Sequence, residues 1–295
     1  MKVLQYHKTR IAYSPTLLVN SLNKFTDHEV RAATTTKTFR QIVRDWEPDV
    51  VHFHNRWLCC QDSEGKIAKF IQYHSPPNEC QTTGSYIENG DIHRLVIAQY
   101  HATLPVYSDC TVVRNHVDFT EPIYDISEVR GKIRVAFSPT TKISKGFANK
   151  GWGPTEDILK RLKAEFPNRF DYGIMCNQPL KDCLEFKRSC NVVIDECATG
   201  SYHRSGLEGL AMGKLTICSV SAEVGAVMLK ACEASTVPFE NVWLKDLHAY
   251  LRQLVLDGPD RAIQVGARSR AWMEEFWHPE AIMKEFSNLY TESRV

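Results

Sequence analysis

The stretch Asn191–Val220, "NVVIDECATGSYHRSGLEGLAMGKLTICSV", sets the reading of this chain. It opens on an apolar run, passes through small and polar residues, and continues into "SGLEGLAMG" and "KLTICSV". That order predicts strand, helix, strand, and the continuous apolar runs are what a parallel sheet covered on both faces requires. The polar turn "TGSYHRSG" then falls at the carboxyl end of a strand and the start of a helix, where open parallel sheets bind ligands. Backbone N–H groups at a helix N-terminus attract anions, so a diphosphate fits there. Glu208, one turn into the helix, is placed to accept hydrogen bonds from a ribose diol. A plainer reading is that Gly200 and Gly206 only shape a tight strand-to-helix turn, since the chain carries no G-x-G-x-x-G or P-loop fingerprint at this point.

Outward from this crossing the same alternation recurs. "KVLQY", "HEVRAAT", "PDVVHFH", "KFIQYH", "RLVIAQYH" and "CTVVRNHVDF" read as strands, with helices over "SPTLLVNSLNKF" and "KTFRQIVRDW". Ser14 is the expected N-cap of the first helix, with Pro15 at its first position. After the polar linker candidate "DISEVRGK" the alternation restarts with strands "IRVAFSP", "FDYGIMC" and "NVVIDEC" and helices "TEDILKRLKAEF" and "LKDCLEFKRS". Repeated βαβ units at these spacings predict an α/β chain of two doubly wound, Rossmann-like domains. Their expected bounds are 1–125, 126–275 and a closing helix within 276–295 that returns to the first domain.

The 295 residues carry a formal charge of +1, which argues against a generally basic nucleic-acid binder. The N-terminus shows no signal-peptide pattern and no apolar run reaches membrane-spanning length, so a cytoplasmic chain without a transmembrane segment is expected. Ten cysteines occur without a C-x-x-C pair, which predicts reduced and mostly buried thiols. No D-x-D motif is present, and adjacent Asp195 and Glu196 point opposite ways on a strand, so no metal site is expected. Histidines gather at strand ends in the first domain: His7, His54, His74 and His101. An imidazole there is suited to take a proton from a hydroxyl near neutral pH. Zinc ligation by His52 and His54 is set aside on the expectation that alternation sends them to opposite faces.

"VVIDECATGSYHRSGLEGLAMGKLTICS" resembles the nucleotide-sugar-binding segment of GT-B glycosyltransferases of the group 1, family 4-like type, particularly small bacterial and phage members. Asp195, Gly200, Tyr202, Glu208, Gly213 and Lys214 carry the match. "IRVAFSPTTKISKG", "TVVRNHVDF", "EPDVVHFHN" and "FWHPEAIMKEFSNLY" are similar to further family segments, in the family's order along the chain. The chain departs from the pattern at Gly200, where many members carry a first glutamate, at Leu215, at His116 and in "HKTRIAYS" after the first strand.

The resemblance implies a GT-B fold, two Rossmann-like domains facing a central cleft. It also implies transfer of a sugar from a nucleotide diphosphate-sugar, UDP-linked by preference, as co-substrate and without a required cofactor. Donor contacts fall on Lys142, Lys145, Gly200, Ser201, Tyr202, His203, Arg204, Ser205 and Glu208, with Lys145, Arg204 and the helix starting near Ser205 stabilising the departing diphosphate. His74 is the first choice for the acceptor's base, with His7, Arg10, His54, Asn55 and His101 as further acceptor-side candidates. The acceptor is a hydroxyl on a glycan, a lipid-linked sugar or a modified phage DNA base, in a bacterial cell or a phage-infected host. A DNA acceptor would use Lys8, Arg10, Lys37, Arg40, Arg44 and Arg56. The rivals are a nucleotide-sugar epimerase or hydrolase on the same fold and a non-catalytic sugar-nucleotide- or nucleic-acid-binding homologue.

Overall fold

A computed structural model describes residues 1–8, 11–60, 65–141 and 150–293. The chain divides into two compact units, Met1–Asp118 with Pro279–Val295, and Phe119–His278.

In the first unit the strands are β1 (Lys2–Tyr6), β2 (Glu29–Ala33), β3 (Val50–His54), β4 (Ala68–Tyr73), β5 (His93–Ile97) and β6 (Thr111–Val113). They form one parallel sheet in the order β2-β1-β3-β4-β5-β6. The helices α1 (Ser14–Phe25), α2 (Thr36–Trp46) and the short α3 (Ser85–Glu88) alternate with them. Every residue of β3 is buried, as its central place in a two-sided sheet demands. Leu4, Phe53, Ile71 and Val96 of neighbouring strands share a core with Phe39 of α2.

The first helix departs from its expected start. Tyr13, in the left-handed region at φ 63°, holds the cap position and its side chain makes no capping bond to the helix, and Ser14 is already helical. The Ser14 hydroxyl donates instead to Asn115 Oδ1 at 2.9 Å, which ties the first helix to the turn after β6. The cap signature was spent on a tertiary contact.

The second unit holds β7 (Ile133–Phe137), α4 (Trp152–Glu165), β8 (Phe170–Ile174), α5 (Leu180–Arg188), β9 (Val192–Glu196), α6 (Arg204–Ala211) and β10 (Leu215–Cys218). It continues through α7 (Ala222–Cys232), β11 (Glu240–Asn241), α8 (Leu244–Asp257) and α9 (Pro259–Phe276). Its parallel sheet runs β11-β10-β9-β7-β8, so β9, the strand of the decisive stretch, is central and buried throughout. The polar stretch 125–132 is anchored here, because Lys214 Nζ donates to Ser127 O at 2.6 Å and Ser127 Oγ donates to Arg188 O at 2.9 Å. The last helix, α10 (Pro279–Glu292), belongs to the first unit and packs on α1.

Candidate functional site

In the second unit the β9–α6 crossing is built around two fully buried carboxylates. Asp195 meets Lys150 Nζ at 2.6 Å, a pair almost wholly out of solvent, and also accepts the His203 backbone N–H at 2.5 Å. Burial opposes ionisation of Asp195, but the Lys150 ammonium and His203 outweigh it and hold the carboxyl below its usual range. Glu196 turns the other way and fills a nest of backbone donors. It accepts from Ala198 N at 2.9 Å, Thr199 N at 2.6 Å and Ser201 N at 3.2 Å, and from the Ser219 hydroxyl at 3.0 Å. The Gly200 N–H goes to Ser219 Oγ at 3.3 Å.

This corrects one expectation. The loop does present backbone N–H groups to an anion, but the anion is the protein's own Glu196. The donors of Ala198, Thr199, Gly200, Ser201 and His203 all have partners within the protein. An external anion at this crossing is left with the first turn of α6, which starts at Arg204, one residue before the expected point.

The glycines divide their labour. Gly200, at φ 79°, makes the turn in a conformation that L side chains rarely adopt. Gly206 lies inside α6, where an added Cβ would stand 2.8 Å from Asp195 Oδ2, so its role is close approach of helix to strand.

Glu208 is buried between two cations, Lys187 Nζ at 2.6 Å and Arg204 Nε at 3.1 Å. Tyr202 is also fully buried, and Ser205 Oγ lies out of solvent without a hydrogen-bond partner. The structure thus brings Gly200–Ser205 and Glu208 together at one strand end, whereas Lys142 and Lys145 lie outside the described residues. A cavity of about 530 Å³ opens nearby in the same unit, beyond the ends of β7 and β8, against Thr141, Trp152, Ile174 and Asn177.

In the first unit the ends of β1, β3 and β4 are built on neutral rings and amides, with a buried cation, Arg114 after β6, paired to Glu285 of α10. Because β1, β3, β4 and β5 run parallel side by side, His7, His54–Asn55, His74 and Gln99 come to one edge of the sheet. His54 Nε2 lies 2.7 Å from Gln5 Oε1, and His54 Nδ1 lies 2.9 Å from His74 Nε2. His52 and His54 stack at 4.7 Å with ring planes 16° apart, so they share a face. The expectation of opposite faces fails because residues two apart on a strand point the same way. His52 Nδ1 meets the Tyr290 hydroxyl of α10 at 2.7 Å. Burial pushes His52 down to about 3, with Gln72 opposing, and drives His54 well below the usual imidazole range, helped by repulsion from His52, His74 and His7.

Asn55 fixes the neighbouring loop. It takes φ 61°, accepts the His74 backbone N–H at 2.8 Å and donates to Ser75 Oγ at 3.0 Å. The His7 ring stands edge-on to His54 at 6.4 Å, and His101 is buried in the turn Tyr100–Thr103. Gln99, 4% exposed, holds a side-chain Nε2 with no hydrogen-bond partner. Lys8, Lys37, Arg40, Arg44 and Arg56 are exposed, Arg44 pairing with Asp45, and Arg10 lies outside the described residues.

Sequence reasoning missed Lys150, Lys187, Gln5, Gln99 and Tyr290. The signal for Gln5 was present, since a polar residue inside an apolar strand asks for a buried partner. All ten cysteines are free thiols, five of them buried. Among the described residues no group of three or more His, Cys, Asp or Glu is placed to hold a metal, and no helix is long and apolar enough to cross a membrane.

No protein-family model and no curated protein matches the chain in sequence. Solved structures do match in three dimensions. A glycosyltransferase from Rickettsia africae superposes with a TM-score of 0.61 at 12% identity, covering 99% of this chain and 98% of that one. HepE from Anabaena, solved with UDP, gives 0.58 at 13% identity, covering 99% and 100%. The UDP-GlcNAc 2-epimerase from Neisseria meningitidis, solved with UDP-GlcNAc, gives 0.52 at 12% identity, covering 99% and 100%. The chain has the GT-B fold, an α/β architecture of two Rossmann-like units, each on its own parallel sheet.

Proposed function

We propose that this chain is a glycosyltransferase that moves a sugar from a nucleotide diphosphate-sugar, UDP-linked by preference, to an acceptor hydroxyl. The observation that carries the reading is the β9–α6 crossing, where a buried glutamate stands one turn into a helix whose first turn faces the strand end. Glu208 receives the ribose diol: a carboxylate offers about four lone-pair sites, and Lys187 and Arg204 each engage one oxygen. The start of α6, with Ser205 Oγ, meets the diphosphate together with Lys142 and Lys145. The cavity beside Trp152 has room for a nucleobase.

On this reading residues 126–275 bind donor and residues 1–125, with the closing helix, bind acceptor. His74 takes the acceptor's proton, and His7, Arg10, Asn55 and His101 border the acceptor. The leaving diphosphate is stabilised by fixed dipoles and cations, so activity survives EDTA. A glycan or lipid-linked sugar inside a bacterial cell is the favoured acceptor, a modified DNA base in a phage-infected host the alternative.

The test is calorimetry with UDP and a panel of nucleotide sugars, followed by product analysis with hydroxyl acceptors. Glu208→Ala is expected to weaken donor binding by about 1–3 kcal/mol. Unchanged affinity would remove Glu208 from the site. The presence of a 2-epimerase among the structural neighbours favours one second reading, isomerisation of the sugar on its nucleotide. An epimerised nucleotide sugar without transfer would establish it, and tight binding without turnover would indicate a non-catalytic homologue.

A further inference from the structure

We infer that His54 is a positioning residue that fixes the tautomer of His74, with the proton on Nε2 and the basic lone pair on Nδ1. The inference rests on the reading of His74 as the acceptor-side base. With the Gln5 amide oriented as it stands in the structure, the chain of contacts can be followed atom by atom. Gln5 Nε2 donates to the Tyr290 hydroxyl at 3.2 Å, which turns the amide so that Oε1 faces His54 Nε2 at 2.7 Å. A carbonyl oxygen only accepts, so His54 Nε2 carries a hydrogen. His54 is 2% exposed and stacked on another buried imidazole, and its burial keeps it neutral. A neutral imidazole protonated on Nε2 has its lone pair on Nδ1. That lone pair lies 2.9 Å from His74 Nε2, which must therefore be the donor.

The amide is itself held. Tyr290 reaches both Gln5 and His52 Nδ1: its hydroxyl accepts from the amide at 3.2 Å and keeps its own hydrogen for the imidazole nitrogen at 2.7 Å when that nitrogen carries the lone pair. One hydrogen bond from α10 thus propagates through Gln5 and His54 to the ring of His74. The backbone is fixed separately by Asn55, which accepts the His74 N–H. The groups facing His54 are His52 on its own strand, His74 after β4 and His7 after β1.

The consequence for chemistry is specific. In transfer, His74 Nδ1 takes the acceptor hydroxyl's proton, the acceptor oxygen bonds to the anomeric carbon, and the bond from that carbon to the diphosphate oxygen breaks with its electron pair going to the nucleoside diphosphate. His74 becomes an imidazolium whose Nε2–H is still donated to His54. The partner is a neutral imidazole, so the lock orients His74 without adding the charge a carboxylate partner would bring.

The experiment is nitrogen-resolved NMR of the histidine rings in the full chain labelled with ¹⁵N-histidine. His74 is expected as the Nε2–H tautomer and His54 likewise, both assigned by loss of signal in His74→Ala and His54→Asn. His54→Leu should convert His74 to a tautomer mixture and lower kcat by about 10²-fold, the low end of losing a general base, with donor KM unchanged. His54→Asn, whose side-chain oxygen can replace Nδ1 as acceptor, should restore both the tautomer and most of the rate. A wild-type His74 carrying its proton on Nδ1 overturns the inference and needs no variant to fold. So does a His74 tautomer indifferent to His54→Leu. Full transfer by His74→Ala would instead remove the base role while leaving the ring assignments standing, which separates the two claims.

Discussion

Around the central strands of their sheets the two units bury polar groups by opposite means, the buried Arg114, paired with Glu285, standing apart at the end of β6 in the first unit. The second unit uses full charges, pairing Asp195 with Lys150 and Glu208 with Lys187 and Arg204, and surrounding Glu196 with backbone donors. The first unit uses neutral rings and amides, with Gln5, His52, His54, His74 and Tyr290 linked by hydrogen bonds whose direction is set by tautomer. A charge out of water must be matched by an opposite charge or a set of dipoles, so each ion fixes its partner in place. A neutral ring needs only one donor and one acceptor, and it can gain a proton at its exposed end. The ionic arrangement suits holding a charged ligand in a fixed place, and the neutral one suits moving a proton.

The sharpest way to break the comparison is to remove one ion from a buried pair. Lys150→Met strips Asp195 of its ammonium and is expected to cost about 3–5 kcal/mol in denaturant unfolding. Adding Asp195→Leu should recover a large part, because the stranded carboxylate causes most of the loss. A single variant that loses less than about 1 kcal/mol would show that the pair does not govern this unit.

Acid separates the units next. A histidine whose folded-state value lies below its unfolded one binds fewer protons when folded, so its contribution is present above about 6.5 and falls as pH drops toward about 3 for His52. Between pH 7 and 5 that amounts to roughly 2 kcal/mol for this one ring. Asp195, also depressed, begins to lose its contribution only below the ordinary carboxylate range. Mild acid should therefore loosen the first unit before the second, and His52→Phe should flatten the thermal-melting profile between pH 7 and 5. Equal loss in both units over that interval would end the distinction.

The strand–helix alternation of two parallel-sheet units was legible because strands covered on both faces are largely apolar, as the starts of β3 and β9 show in sequence, whereas the order of strands within each sheet was not read. The clustering of polar residues where strands end was legible for the same reason, and it is at such ends that the candidate residues Gly200–Ser205 and Glu208, and His54 and His74, come together. The three helices between β10 and the start of α10 carry signals of their own, such as Ser221 capping α7 and Pro259 opening α9, but none begins at the crossing that carries the motif. The partners were not legible. Lys187 and Glu208 are 21 residues apart, Lys150 and Asp195 45, and His52 and Tyr290 238. Separations of that kind are set by packing of whole elements and leave no local spacing to read. Glu196 is the instructive case: a small-residue loop after a strand predicts an anion, and says nothing about whether the anion belongs to the ligand or to the fold.

The smallest effect concerns Lys214, which stands between the two strategies: a buried cation in the ionic unit whose ammonium donates to neutral oxygens. Its ammonium donates to Ser127 O, Ser127 Oγ and Arg188 O, at 2.6, 3.0 and 3.0 Å. Burial lowers it to about 8, Cys190 opposing and Arg188 adding to the shift. The folded value lies below the ordinary lysine value of 10.5, so between about 8 and 10.5 the unfolded chain keeps the proton that the folded chain releases. Stability therefore rises with pH through that window, by about 1 kcal/mol between pH 8 and 9. Lys214→Met abolishes this slope while leaving a side chain of similar reach in the same space. The difference between the two proteins' unfolding free energies should then shift by about that amount over one pH unit. A constant difference from pH 8 to 10 would mean that three neutral oxygens hold the ammonium as well as water does, and the contrast between paired ions and neutral networks would lose its intermediate case.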